Sequence, residues 1–270
     1  MSKKALYGII GIIITIVIIA VAVQQAQGGA SAAMDNVAVP KQVLSNLYNI
    51  ANNYKIANYI GAGAANNLPL KTGSTTVLKL DGKPAVVYVG ADYCPFCAAT
   101  RWALIIALDR FGNFSSLHYM TSSASDFSPG TPTFTFFNSS YSSPYITFER
   151  VEETTNTYPY HTLQIPNKIE NETFSAFDIN FTAIPANERG GIPFIDFGNI
   201  TVQVGGEFSP LLIEKYGWST IISDLENANS TVAQSIIGNA NVFTAQICNI
   251  IGDNASVCKQ PFVRNIRYSN

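Results

Sequence analysis

The stretch VVYVGADYCPFCAATRWALIIAL, Val86 to Leu108, places two cysteines between an apolar run and a helical pattern. The apolar run at Ala85 to Val89 is continuous, which predicts a strand buried on both faces. The residues after the cysteines, ATRWALIIALDRFG, predict a helix that ends at Gly112. Cys94 is therefore expected at the start of a helix that directly follows a buried strand.

A cysteine in the first turn of a helix is well placed to act as a nucleophile. Its sulfur lies among unpaired backbone N–H groups and at the positive end of the helix dipole, so the thiolate is favoured over the thiol. Pro95 occupies a position where a missing N–H costs nothing, and Cys97 returns one turn later behind Cys94. The spacing therefore predicts a redox pair formed by Cys94 and Cys97.

A zinc site is the main chemical alternative for the CPFC motif. Tetrahedral zinc would need further ligands, but Cys248, Cys258, His118 and His161 include no pair at a ligand spacing. His118 falls in a predicted strand and His161 in a loop, where ordinary surface or hydrogen-bonding roles are expected. We therefore expect no metal and no cofactor.

The second cysteine pair, Cys248 and Cys258, flanks the turn-like segment NIIGDNAS. We predict that these cysteines form a structural disulfide that fastens the C-terminal tail, worth about 2–3 kcal/mol for so short a loop. A second redox pair is the alternative. An even number of cysteines in two close pairs suits an oxidising compartment.

Composition separates this chain from some classes of protein. The 270 residues are 47% hydrophobic, which is ample for a folded core. Charged residues make up only 13%, the net charge is −2, and no basic cluster stands out. A nucleic-acid partner is therefore not expected.

The N-terminus carries an apolar segment, Ala5 to Val23, with no charged residue. As a helix rising about 1.5 Å per residue it would nearly span a hydrocarbon core of about 30 Å. Lys3 and Lys4 precede the segment and the next cation is Lys41, so the positive-inside rule predicts a cytoplasmic N-terminus and an extracellular domain. We expect a single-pass cell-membrane protein.

Two other interpretations of this N-terminal segment stay open. A cleaved signal peptide is the first, since residues 20–22 and 30–32 are small-x-small sites. The second is that KKAL resembles an archaeal prepilin-type signal, cut near Lys4. The small, polar and glycine-rich stretch QQAQGGASAA, from Gln24, is interpreted as a flexible tether between the membrane and the domain.

Potential glycosylation sites agree with an extracellular location. The chain contains Asn-x-Ser/Thr sequons only after the apolar segment, although a chain so rich in Asn, Ser and Thr would produce about half of them by chance. These sequons begin at Asn113, Asn138, Asn171, Asn180, Asn199, Asn229 and Asn254.

Further patterns predict elements around the central unit. PKQVLSNLYNIANNYKIANYIG, from Pro40, has apolar residues spaced by three and four, which predicts one amphipathic helix. LHYMTSS, from Leu117, predicts the strand that follows the cysteine helix. Phe194 to Phe197 and Ile200 to Val204 flank a Gly-Asn dipeptide, which predicts a hairpin. Residues 122–145 are polar and are interpreted as an inserted loop or irregular hairpin before the strand YITFERVEE.

The order strand, CPFC, helix, strand, then Ile192-Pro193 opening a β-hairpin followed by a helix, resembles the thioredoxin fold. The resemblance implies an α/β fold in which Cys94 attacks and Cys97 resolves. It also implies that Pro193 is a cis-proline beside the cysteines, and that Ile192 exposes its backbone to a substrate. The stretches GADYCPFCAATRWAL, GGIPFIDFGN and ANVFTAQICNIIGDNASVC resemble an uncharacterised thioredoxin-like family of membrane-anchored archaeal and actinobacterial proteins.

The resemblance implies a division of the chain into segments. The predicted order is a transmembrane anchor, a tether, an N-terminal helical extension, a thioredoxin-like domain with two insertions, and a helical C-terminal extension with the disulfide. These segments are residues 1–23, 24–39, 40–74, 75–228 with insertions at about 122–145 and 154–189, and 229–270.

Three positions near the cysteines bear on the chemistry. Thioredoxin has a buried acid six residues before its first cysteine, whereas this chain has Tyr88, which argues against efficient reductase activity. The Pro95-Phe96 dipeptide resembles those of glutaredoxins and periplasmic disulfide oxidases, which favours oxidase or isomerase activity. Arg101, one turn after Cys97, is interpreted as a solvated helix residue, with added positive potential at the cysteines as the alternative.

Two functions from different classes follow. The first is an extracytoplasmic thiol–disulfide oxidoreductase that acts on exported proteins through Cys94 and Cys97, with an unknown redox partner. The second is a glycosylated cell-surface structural or binding protein, in which the CPFC disulfide is a permanent link and the insertions form the useful surface. Thiol reactivity distinguishes them.

Overall fold

The protein is known from a computed structural model that describes residues 32–268. In that range the helices are α1 (Lys41–Ala51), α2 (Tyr54–Ile60), α3 (Pro95–Leu108), α4 (Lys168–Phe174), α5 (Trp218–Leu225), α6 (Thr231–Ile251) and α7 (Pro261–Tyr268). The strands are β1 (Leu70–Lys71), β2 (Lys79–Leu80), β3 (Lys83–Gly90), β4 (Asn113–Thr121), β5 (Pro132–Ser142), β6 (Thr147–Glu152), β7 (Phe194–Phe197) and β8 (Thr201–Val204). The protein is therefore a mixed α/β structure.

The central sheet is built around β3. β3 pairs in parallel with β6 on one side and antiparallel with β7 on the other. β7 continues antiparallel to β8, β8 pairs with β1, and β2 forms a hairpin with the start of β3. This order places the C-terminal end of β3, and the cysteines that follow it, in the middle of the sheet edge.

The continuous apolar run in β3 is explained by helices on both faces of the sheet. Val86 and Tyr88 face the larger core, which includes residues of α3 and α6. Val89 faces a smaller core that contains Phe194 and is covered by Phe174 at the end of α4. Because successive strand residues point to opposite faces, both faces of β3 must be apolar.

The predicted strand after the cysteine helix is present, but it is not the parallel neighbour of β3. β4 contains LHYMT but pairs with β5 in a separate two-stranded sheet, and the parallel neighbour of β3 is β6. Much of residues 122–145, interpreted above as a loop or irregular hairpin, is the 11-residue strand β5. β4 and β5 satisfy each other's backbone groups, so the chain returns to the central sheet only at Thr147.

The predicted single N-terminal helix is two helices. α1 ends at Ala51, and the side chain of Asn53 accepts a hydrogen bond from the Ile56 N–H as the cap of α2. An asparagine side chain that caps a new helix competes with continuation of the old one. The predicted tether also ends earlier than residue 39, because Asn36 and Val39 donate backbone hydrogen bonds to β4.

The predicted membrane anchor at Ala5 to Val23 lies outside the described residues. Among residues 32–268, no helix combines the length and the apolar character that a membrane span requires.

Candidate active site

Cys94 is the N-cap residue of α3, directly after β3 and its short connection. Its Sγ atom accepts a hydrogen bond from the Cys97 N–H at 3.3 Å. Its thiol also lies 3.8 Å from the Ile192 carbonyl oxygen. Cys94 is 6% exposed and Cys97 is fully buried, so only Cys94 can be approached from solvent.

The two thiols have pKa values shifted in opposite directions. A hydrogen bond from the Cys97 thiol is the main cause that lowers the pKa of Cys94; burial opposes it, and the backbone N–H of Cys97 and the charge of Arg101 add to the lowering. Burial, followed by the Cys94 partner, raises the pKa of Cys97 well above its ordinary value. The arrangement therefore favours a thiolate at Cys94 and a protonated Cys97.

Ile192 and Pro193 lie beside the cysteines although they are far away in sequence. Their peptide bond is cis, and Pro193 immediately precedes β7, the strand next to β3. The Ile192 carbonyl contacts the Cys94 thiol, as given above. The four residues singled out by the sequence, Cys94, Cys97, Ile192 and Pro193, are thus brought together.

Arg101 is completely buried, which corrects its interpretation as a solvated helix residue. Its Nε and one terminal nitrogen bind both oxygens of Glu152, at 2.8 and 2.6 Å. That terminal nitrogen also donates to the Ala91 carbonyl oxygen at 2.8 Å and lies 3.4 Å from Asp92. A buried guanidinium persists only when its charge is compensated, and here β6 and the β3–α3 connection supply the acids.

Asp92 and Glu152 were not predicted as site residues. Burial is the main cause that raises the pKa of Asp92 to about 7; the charge of Glu152 raises it further and that of Arg101 opposes the rise. The sequence signal was present but weak. Asp92 stands two residues before Cys94, and Glu152 ends a strand whose other buried members are apolar.

Tyr88 occupies the position where the resemblance to thioredoxin leads one to look for an acid. Its ring packs edge-on against Phe136, with 5.0 Å between the centroids. Its hydroxyl is buried and has no hydrogen-bond partner among the described residues. Burial raises its pKa well above the ordinary value, so this group stays a neutral phenol beside Arg101 and the thiols.

A further buried acid, Glu207, contacts the cysteine helix from the other side. It accepts a hydrogen bond from the Thr100 hydroxyl at 2.9 Å, and burial raises its pKa to about 8. The preceding Gly206 lies under the Phe96 ring, where an added Cβ would come within 2.7 Å of a ring carbon. The β8–α5 connection therefore fixes the position of the CPFC segment.

The second cysteine pair is away from this site. Cys248 at the end of α6 is joined to Cys258 by a disulfide, with 5.5 Å between the Cα atoms. A carboxylate oxygen of Asp253 lies within 4.8 Å of both sulfurs. However, a disulfide offers no thiolate to a metal ion, so these residues form a structural link rather than a ligand set.

The two histidines considered above as zinc ligands lie in different elements. His118 lies on β4 with a buried Nδ1, and His161 is exposed in a loop.

The sequon asparagines differ in exposure. Asn199 is half-buried, and its Oδ1 atom is enclosed without a hydrogen-bond partner among the described residues. Attachment of a glycan there would require this side chain to leave its position. The side chains exposed to solvent are Asn113, Asn138, Asn171, Asn180, Asn229 and Asn254.

The fold and the site define a mixed α/β protein with a CxxC pair at the start of a helix, between a central strand and an Ile-Pro turn. The chain belongs to the family described as domain of unknown function DUF929, whose model matches residues 71–249. That match covers the elements from β1 to nearly the end of α6. No curated protein and no solved structure matches the chain.

Proposed function

We propose that this protein is a thiol–disulfide oxidoreductase with a thioredoxin-like fold. The strand order β6-β3-β7-β8, with β3 parallel to β6 and antiparallel to β7, supports the resemblance. The cysteine helix follows the central strand in both cases. The β4–β5 hairpin is then an insertion between the cysteine helix and the next strand of the central sheet.

The observation that carries the proposal is the difference between the two thiols. Cys94 has a lowered pKa and the only accessible sulfur of the pair, whereas Cys97 is buried behind it with a raised pKa. The thiolate, not the thiol, attacks a disulfide. Cys94 is therefore the attacking residue and Cys97 the residue that resolves the mixed disulfide.

The exchange needs no further reactant. The Cys94 thiolate attacks one sulfur of a client disulfide, forms a mixed disulfide and releases the other client sulfur as a thiolate, which takes up a proton. Cys97 then loses its proton and attacks the Cys94 sulfur, which releases the second client thiol. The protein loses two electrons, the client gains them, and the reverse sequence oxidises a client dithiol.

The direction that the site favours is oxidation or isomerisation of clients. Interactions that stabilise the Cys94 thiolate exist only in the reduced protein, so they favour the reduced form and make the disulfide a stronger oxidant. The clients would be exported proteins with thiols or disulfides. That location, and an anchor at Ala5 to Val23, rest on the sequence expectations alone.

One observation favours the alternative of a permanent disulfide in a surface protein. Cys94 is only 6% exposed, so a client must approach closely to reach its sulfur. A permanent disulfide between Cys94 and Cys97 would need no access of a client to the Cys94 sulfur.

A redox titration separates the two functions. The full chain is equilibrated with glutathione or dithiothreitol buffers of known potential, and the free Cys94 and Cys97 thiols are counted by mass after alkylation. An oxidase or isomerase should show a midpoint between about −120 and −180 mV, and a midpoint between about −200 and −270 mV would indicate a reductase instead. A midpoint below about −300 mV, or no exchange, would assign the pair to a structural link.

A further inference from the structure

Two groups of aromatic side chains adjoin the Cys94 segment, one through Phe96 and the other through Tyr93. The first pair is Phe96, inside the CPFC motif, and Phe127 from the β4–β5 connection, with parallel rings and 6.1 Å between centroids. Phe96 is 38% exposed and Phe127 is 60% exposed. Large apolar side chains exposed together are uncommon on a monomer surface, and they indicate a binding surface.

The second group joins the cysteine segment through Tyr93, on the N-terminal side of Cys94 in the chain. Tyr93 stacks on Tyr160, with 4.7 Å between centroids, and Tyr158, which is 72% exposed, packs edge-on against Tyr160. We call Tyr93, Phe96, Phe127, Tyr158 and Tyr160 the aromatic collar. Cys94, almost fully buried, lies between Tyr93 and Phe96 in the chain, so both halves of the collar adjoin the cysteine segment.

Hydrogen bonds hold the two connections against the cysteine segment. The Ser123 N–H donates to the Tyr93 carbonyl oxygen at 2.9 Å, and the Asp92 N–H donates to the Thr154 carbonyl oxygen at 2.9 Å. The Tyr160 hydroxyl donates to Ser123 Oγ at 2.9 Å. The collar is therefore fixed in place, which lowers the entropic cost of binding a partner.

The solvent-accessible charges of the segments that carry the collar have one sign. Residues 91–97, 122–131 and 153–163 contain no lysine or arginine, and their partly exposed charged side chains are the acids Asp126 and Glu153. Asp126 lies close enough to contribute to the raised pKa of Tyr93. Such a surface repels acidic ligands and attracts neutral or basic ones.

We propose that the aromatic collar binds a polypeptide segment in which aromatic or aliphatic side chains flank the reacting cysteine, and that it disfavours acidic thiols such as glutathione. The proposal rests on the proposed oxidoreductase function and adds a substrate class to it. An apolar side chain on each side of the client cysteine would contact one half of the collar. The client sulfur would then reach Cys94 between them.

The test uses the oxidised full chain and four thiol probes. Three are acetylated pentapeptides with a central cysteine flanked by phenylalanine, serine or glutamate, and the fourth is glutathione. The second-order rate of disulfide reduction is measured for each probe. We expect the phenylalanine-flanked peptide to react about fivefold faster than the serine-flanked one, as expected for one added aromatic contact, and the glutamate-flanked peptide and glutathione to react slowest.

The matched variants are the double substitution Phe127→Ser with Tyr158→Ser, and Tyr59→Ser as control. Tyr59 is 68% exposed on α2, outside the collar. The double variant should slow the phenylalanine-flanked peptide about fivefold and leave the glutathione rate unchanged, whereas the control should change neither. Comparison of variants for each probe cancels differences in peptide thiol pKa.

Several outcomes would overturn the proposal. Equal wild-type rates for the phenylalanine- and serine-flanked peptides would do so, as would an equal loss with every probe in the double variant. A concentration-dependent dimer in sedimentation that the double variant abolishes would assign the collar to a second copy of the chain. If no thiol reacts at all, the oxidoreductase function fails and the collar proposal with it.

Discussion

Arg101 is the positive charge that helps to lower the pKa of Cys94, and its neighbours explain how it stays buried. Its side chain is fully enclosed, with Glu152 held through two hydrogen bonds and Asp92 nearby. The hydrogen bonds with Cys97 contribute most to the lowered pKa of Cys94, and Arg101 adds a through-space attraction. Arg101 therefore has two separable effects, one on stability and one on thiol acidity.

Substitution of Arg101 tests both effects. Arg101→Met leaves the Glu152 carboxylate buried without its cation, so the free energy of unfolding should fall by about 3–5 kcal/mol. The same change should raise the pKa of Cys94 from its lowered position below 9.0, the ordinary value, because a nearby positive charge is lost. Alkylation rates of the reduced protein against pH measure the second effect, as a midpoint moved to higher pH.

A double variant keeps the two effects apart. Arg101→Met with Glu152→Met removes both charges, so most of the lost stability should return while the alkylation midpoint stays high. A midpoint that returns to the wild-type pH in the double variant would mean that Arg101 acts through structure alone.

Helices and strands that are determined by neighbouring residues in the chain could be predicted from the sequence. β3, α3 and the β7–β8 hairpin occur where the apolar run, the proline at the first helical turn and the Gly-Asn dipeptide indicate. The break between α1 and α2 depends on Asn53 acting as a cap, which competes with an uninterrupted apolar spacing. The pairing of β4 with β5, instead of β4 with β3, depends on contacts distant in sequence that no local pattern encodes.

Four of the buried acids in or next to the central sheet and α3 have raised pKa values, and they make stability depend on pH. Asp92 follows β3, Asp109 follows α3, Asp196 lies in β7 and Glu207 follows β8. Burial is the main cause that raises their pKa values, to about 7 for Asp92 and Asp196 and about 8 for Asp109 and Glu207. The folded protein therefore binds more protons than the unfolded chain between about pH 4 and pH 8.

This excess of protons fixes the sign of the pH effect. Stability from these groups is complete below their unfolded pKa values, 3.8 for aspartate and 4.5 for glutamate, and is lost as pH rises through about 7 to 8. The melting temperature should therefore be higher at pH 5 than at pH 8.

Asp109→Asn gives this prediction a direct comparison. It should raise the melting temperature at pH 8 more than at pH 5, because it removes one group that must ionise inside the protein. Glu226→Gln, at an exposed position, is the control and should leave the pH dependence unchanged. A wild-type protein that is more stable at pH 8 than at pH 5 would contradict the prediction.

At the scale of the whole molecule, segments outside the family match belong to the same core as those inside it. α1, α2 and α7 fall outside residues 71–249, yet Leu47, Ala57 and Phe262 are buried in the larger core with α3 and α6. The disulfide joins Cys248, inside the match, to Cys258 beyond it. The terminal helices therefore stabilise the unit that carries the cysteines.

The candidate site was predictable only in part, because some of its residues meet through contacts between segments distant in sequence. The spacing of Cys94 and Cys97 predicts a redox pair. The resemblance to the thioredoxin fold identifies Ile192 and Pro193, which are 98 and 99 residues after Cys94. Glu152, Glu207 and the aromatic residues of the two connections carry no motif. They become part of the site only because the strand order brings β6, β8 and the connections to the start of α3.

Capture of a mixed disulfide tests the central claim, that Cys94 attacks and Cys97 resolves. Full-length Cys97→Ser and Cys94→Ser proteins are first reduced and then incubated with a peptide disulfide. The adducts are counted by mass under nonreducing conditions. Cys97→Ser should accumulate one peptide on Cys94, because the attacking thiolate is present and nothing resolves the product. Cys94→Ser should capture little, because Cys97 is fully buried with a raised pKa. Equal capture by the two variants, or capture by neither, would contradict the claim.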